Sequence, residues 1–186
     1  MTQTIQVSSP FRAHEIVRLG LDGIGRVNAQ ARASIVERCL DVADVLPLAS
    51  RPYAALSGGE QRRVQFARVM AQIEAARTVH DRQALLLDEP VANLDLPHQL
   101  ALLDAAQRAA ARGVAVLAVL HDLNLAARYA DMLALMNDGA IVACGEPASV
   151  QTSRLLSGVF AIDLAVGTTL TSESPLVIPS RWLIGS

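Results

Sequence analysis

The chain has 186 residues, a formal net charge of −2 and 52% apolar residues, enough for one domain with a true core and short for two. Its longest apolar runs, such as VAVLAVL at residues 114–120, are strand-sized, far below the roughly 18–20 residues that span a bilayer. The balance of charge gives no case for a nucleic-acid groove, and no basic, apolar, then small-residue pattern opens the sequence, so no secretory leader is expected.

Residues 11–47 read as helical. HEIVRLGL is a short amphipathic segment, and NAQARASIVERCLDVADVL a longer one with Ile35, Val36, Leu40, Ala43 and Leu46 on one face. Pro47 and Pro52 end this block. LSGGEQRRVQFARVMAQ, residues 56–72, opens on a serine and two glycines and turns at once into arginine-rich helix. Unpaired N–H groups at such a helix start point outward and favour an anion. A lysine normally accompanies a phosphate site, yet all 16 basic residues are arginine.

A polar connection leads to ALLLDEP, an apolar run of buried-strand type. Residues 98–112 form a helix closed by Gly113, VAVLAVL a second buried strand, and DLNLAARYA a helix. MLALM, NDG and AIVAC then read as strand, tight turn and strand. Strands alternating with helices imply a covered, mostly parallel sheet beside a separate helical lobe. Cys39 and Cys144 have no metal-like spacing and read as buried or inert thiols.

Asp88 and Glu89 end a strand, at the edge where open α/β sheets bind ligands. An aspartate there can hold Mg²⁺, and a second carboxylate can deprotonate an attacking water. Alone, D-E-P reads as a solvated acidic turn, and Asp95 as an ordinary helix-start aspartate. His121 directly follows the second strand, where a lone histidine is more often structural than catalytic. LDGIGR lacks a third glycine and a preceding strand and is set aside.

Together, L-S-G-G-E-Q heading a helix, a strand ending D-E-P, then L-D, then a strand running into H-D resemble one family, the nucleotide-binding subunits of ABC transporters. The resemblance covers residue 3 to about residue 160. It implies an α/β fold, a partial P-loop NTPase (RecA-like) core with a mostly parallel sheet plus a helical subdomain. Residues 1–10 would be the remnant of a glutamine loop, 11–55 the helical subdomain, 56–160 the C-terminal part of the nucleotide-binding domain and 161–186 a tail.

In this family two subunits pair head to tail around ATP and Mg²⁺. By resemblance, Ser57, Gly58, Gly59 and Glu60 contact ATP held by the other subunit. Asp88 supports Mg²⁺, Glu89 is the general base, His121 contacts the γ-phosphate and Asp95 reaches across the dimer. Gln3 sits where the family has a glutamine that belongs to the γ-phosphate and Mg²⁺ site and touches the transmembrane partner. The implied partners are a second ATP-binding subunit, two permease subunits and, indirectly, a periplasmic binding protein, at the cytoplasmic face of the inner membrane.

The family's phosphate loop, G-x-x-x-x-G-K-[ST], has no counterpart here, and without lysine none can be built. Met1 therefore reads as an internal methionine taken as a start, and the chain as lacking the segment before Gln3. LHDLNLAARYAD, the following G-x-I-V-x-x-G-x-P, LLSGVFAIDL and PLVIPS are similar to importer subunits for hemin, with siderophore or cobalamin importers as neighbours. A naturally short, non-catalytic partner that offers its signature face to a full-length subunit is the alternative. A soluble ABC ATPase of translation or DNA repair is disfavoured, since those carry paired cassettes or long insertions.

Overall fold

The computed structural model describes residues 11–25, 27–77, 79–169 and 172–180; Gln3 lies outside them. The chain divides after Val119 into two compact units.

The first unit opens with two helices, α1 (Ala13–Leu19) and α2 (Ala29–Val42). The Glu15 carboxylate accepts the Arg12 N–H at 2.7 Å and starts α1; the Asn28 side chain accepts the Ala31 N–H at 2.8 Å and starts α2. Ile35, Val36, Leu40 and Ala43 are buried as their spacing predicts, joined by Cys39. Leu46 leaves this face. Asp44 adopts a left-handed φ of 53° and breaks the helix before Pro47, so Leu46 begins a separate 3₁₀ turn, Leu46–Leu48.

Both helices pack on α3 (Gly58–Ala76). At Gly20 a Cβ would stand 2.4 Å from the Arg68 carbonyl oxygen, so only glycine lets the end of α1 approach α3 this closely. Cys39 is buried, and burial pushes its thiol up to about 12, which makes it inert; Cys144 is exposed.

β1 (Ala84–Asp88), α4 (Leu96–Ala111) and β2 (Ala115–Val119) complete the unit. α4 carries Pro97 in its first turn and is closed by Gly113 at φ 91°. β1 and β2 pair in parallel, Leu86 opposite Leu117 and Asp88 opposite Val119. The parallel pairing agrees with the strand–helix–strand order, but burial on both faces does not. Leu85 and Leu87 are buried, whereas Leu86 is 71% and Leu117 63% exposed. Helices cover one face only, and the other presents Leu86, Leu117 and Val119.

The second unit contains α5 (Leu123–Tyr129), β3 (Leu133–Asn137), β4 (Ala140–Gly145), the short turn α6 (Pro147–Val150), α7 (Ser153–Phe160), β5 (Leu164–Thr169) and β6 (Ser172–Pro179). β3 and β4 form the expected hairpin through Asp138 and Gly139, both at positive φ, as a primed two-residue turn requires. It is antiparallel, as is β5–β6, so β1–β2 is the one parallel pair among the described residues. Leu156, Leu164 and Val177 form the core of this unit. Asn124 pairs with both the N–H and the carbonyl of Val177, at 2.8 and 3.2 Å, tying α5 to β6 as a neighbouring strand would.

The open face of β1–β2 predicts self-association of the chain, because exposed apolar strand surface seeks a cover. The double change Leu86→Lys, Leu117→Lys should reduce light scattering in dilute buffer without lowering the urea midpoint. Leu85→Ala, on the covered face, should cost about 2–4 kcal/mol in the same urea titration. Equal effects from the two faces would contradict this assignment.

Candidate nucleotide-facing site

The Ser57 hydroxyl accepts the Glu60 N–H at 3.3 Å, and the Glu60 carboxylate accepts the Ser57 N–H at 2.7 Å. This reciprocal capping box fixes the start of α3. Gln61 secures the chain entering it, donating to the carbonyls of Tyr53 and Leu56 at 3.2 and 3.1 Å. Two of the four N–H groups at the helix head are thereby used. Those of Gly58 and Gly59 meet no acceptor among the described residues.

Neither glycine is demanded by packing within the chain. A Cβ at Gly58 would meet nothing within 4 Å, and one at Gly59 only ordinary contacts, 3.5 Å to Leu94 Cδ2 and 3.6 Å to Asn93 O. The glycines therefore leave room for something outside the chain to reach two aligned N–H groups. The Glu60 carboxyl lies below the usual carboxylate range, first through its bond to the Ser57 N–H, then through the Ser57 hydroxyl, with Arg51 and Arg63 adding attraction.

The contacts of Gly59 bring α3 to the segment after β1. Asp88 ends β1 and Glu89 follows, both exposed. Glu89 (φ 45°) and Asn93 (φ 60°) are left-handed without being glycine, an uncommon arrangement that concentrates at functional loops. Turn bonds, Ala92 N–H to Glu89 O and Leu94 N–H to Val91 O, both 3.2 Å, hold the loop. Arg62 donates to the Ala92 carbonyl, a tie between α3 and this loop that no motif announces.

Asp95 is the N-cap of α4 but its carboxylate does not cap the helix. It binds the His98 Nδ1 instead, and that bond, the charge of His98 and, more weakly, Arg63 hold its carboxyl below the usual range. His98 and Asp44 are what the sequence reading missed; the i, i+3 spacing of Asp95 and His98 is the one signal for them. His121 stands two residues beyond β2, in the second unit, and is exposed. Its neighbour Asp122 caps α5, accepting the N–H groups of Asn124 and Leu125 at 2.8 and 2.9 Å.

The structure thus brings Ser57, Gly58, Gly59 and Glu60 together with the 91–95 loop. Among the described residues no group of three or more His, Cys, Asp or Glu could hold a metal ion by itself. No helix among them is long and apolar enough to cross a membrane.

No family model matches the chain. Hemin import ATP-binding protein HmuV of Rhodopseudomonas palustris (strain HaA2) is 41% identical over 179 residues, 96% of this chain and 67% of that protein. The HmuV proteins of Rhizobium meliloti (41% identical; 96% of this chain, 68% of that protein) and Myxococcus xanthus (46%; 91% and 63%) are similarly related. The chain belongs to the ATP-binding proteins of ABC transporters. Members of this family are ATPases. The chain spans about two thirds of the length of these relatives. A solved metal-chelate type ABC transporter in an inward-facing conformation shares its fold, at TM-score 0.71 and 22% identity, over 92% of this chain and 67% of that one.

Because the Glu60 carboxyl lies below its ordinary value, its contribution to the capping box is present above about pH 4 and is lost as pH falls through the folded value. Amide exchange at the first turn of α3, corrected for its intrinsic pH dependence, should therefore accelerate on acidification, and Glu60→Gln should flatten that acid limb. Ser57→Ala should lower stability to urea by about 1 kcal/mol. An acid limb that persists in Glu60→Gln would assign it to another group.

Proposed function

We propose that this chain is the ATP-binding subunit of an importer for hemin or a related iron chelate. The observation that carries the reading is the pair of unpartnered N–H groups at Gly58 and Gly59, open to the outside, in a chain with no phosphate loop or lysine. Such a surface receives a phosphate held by another polypeptide segment. Ser57 donates its hydroxyl proton and the glycines their N–H groups to the γ-phosphate of ATP bound across the interface. Glu60 acts through the capping box, since its carboxylate is spent on the Ser57 N–H.

Asp88 and Glu89 end a parallel strand at its ligand-binding edge. Glu89 accepts the proton of the water that attacks the γ-phosphate, a role suited to an exposed carboxylate on a conformationally fixed loop. His121 contacts the γ-phosphate and Asp95 the partner subunit. Asp88, with Gln3, would hold Mg²⁺. A lone strand-end carboxylate without a protein-only cage fits this ion, which is bound through one or two carboxylates plus water and substrate phosphates. Held there, it would supply positive charge against the phosphates.

Two permease subunits would hold the ATP-binding pair at the cytoplasmic face of the membrane, with a periplasmic binding protein delivering cargo. The hemin assignment rests on the names of the relatives.

Isothermal titration of the 186-residue chain should show no micromolar ATP affinity. Joining a segment with the family's G-x-x-x-x-G-K-[ST] phosphate loop ahead of residue 3 should yield ATP hydrolysis. In that chimera Glu89→Gln should lower turnover at least ~10²-fold, as loss of a general base does, with ATP binding retained. Ser57→Arg, which puts bulk and charge where the γ-phosphate lands, should bind ATP but fail to form the ATP-dependent dimer. If Glu89→Gln abolished ATP binding while Ser57→Arg hydrolysed normally, the two faces would be wrongly assigned.

A further inference from the structure

One imidazole joins the Asp95 loop to the helical lobe. His98, in the first turn of α4, turns Nδ1 to the Asp95 carboxylate and sets Nε2 3.1 Å from Asp44 Oδ2. Asp44 lies in the left-handed turn that closes α2, and the same oxygen accepts Arg63 Nη1 of α3 at 3.2 Å. Three helices of the first unit therefore meet at this cluster.

The geometry favours one protonation state. A neutral imidazole has one N–H and one lone pair. With a carboxylate oxygen at each nitrogen, either neutral tautomer would aim its lone pair at an anionic oxygen. Imidazolium donates at both. The charges agree: Asp44 and Asp95 against Arg63 alone leave −1, and a protonated His98 closes the cluster to zero. Asp95 from its own helix, Asp44 from the turn after α2 and, behind it, Arg63 from α3 are the charged groups facing the ring.

We propose that His98 is the positioning residue for Asp95: as imidazolium it bridges Asp95 to Asp44 and ties the 93–95 loop to the helical lobe, and on losing its proton it releases that loop. The tie needs the ring proton, so raising the pH removes it and lowering the pH restores it. The lowered Asp95 carboxyl agrees, because its first cause is the bond to His98. The functional meaning, a subunit contact set by the protonation of its neighbour, rests on the ATP-binding reading above.

The test is NMR of the full 186-residue chain. At pH 6, ring ¹⁵N shifts should report protons on both nitrogens of His98. Asp44→Asn removes one carboxylate at a left-handed position that asparagine adopts readily, so the fold is kept; on raising the pH the ring should lose its second proton earlier than in the parent chain. Exchange at the 93–95 amides, corrected for its intrinsic pH dependence, should be about tenfold faster at pH 8 than at pH 6, the signature of local opening. His98→Gln, which has no titrating ring, should show no such change. A neutral ring at pH 6, a ring unaffected by Asp44→Asn, or pH-independent exchange in the parent chain would overturn the proposal. No arm uses nucleotide, so failure here leaves the ATP-binding reading standing. An inactive chimera would in turn leave the bridge standing and remove only its meaning for catalysis.

Discussion

The N–H groups at the head of α3 are a fixed supply of four, and the Ser57–Glu60 capping box takes the first and the last. What remains is the middle pair, and those two residues are glycines. The box and the glycines are therefore one device. Without the box, Ser57 and Glu60 would leave their own N–H groups to compete for an incoming anion. Without the glycines, a Cβ would project into open space at Gly58 and against Leu94 at Gly59, beside the remaining pair. The Glu60 carboxylate looks misplaced on the proposed phosphate-facing surface until its bond to Ser57 is counted.

That helix end is useful only if its surroundings hold still. The Arg62 bond to the Ala92 carbonyl and the contact of Gly59 with Leu94 fix it against the loop that begins at Glu89. The loop in turn contains two non-glycine residues in left-handed conformation. Buried Pro90, Val91 and Leu94 anchor it, while Glu89, Asn93 and Asp95 remain exposed. Apolar anchors alternating with exposed polar positions place the carboxylates on a surface without giving them freedom.

Much of this is legible in the sequence. Serine before two glycines announced the head of α3, Gly113 the end of α4, and Asp-Gly the β3–β4 turn, because each is a local rule about caps or positive φ. The helical face of Ile35, Val36, Leu40 and Ala43 followed from periodicity. The exposed face of β1 and β2 did not. An unbroken apolar run reads as buried on both sides, and nothing within it says that only Leu85 and Leu87 are covered. The left-handed Asp44 and its bond to His98 were equally hidden, since 54 residues separate them and each alone is ordinary. Gln3 lies outside the described residues, and its role stays with the resemblance.

The absence of lysine finds its physical sense in how the arginines are used. Arg12 donates to the Ser50 carbonyl, Arg32 to that of Leu21, Arg62 to that of Ala92, while Arg63 and Arg112 pair with Asp44 and Glu74. A guanidinium fork suits such work, spanning segments with fixed geometry and a charge that does not titrate. The head of α3 instead offers neutral N–H groups. Partial charges of this kind are too weak to gather phosphate from solution against water, but they discriminate well once a phosphate is presented in the right place. A face built this way suits nucleotide that another surface has already bound, which is the property the proposed shared ATP site requires.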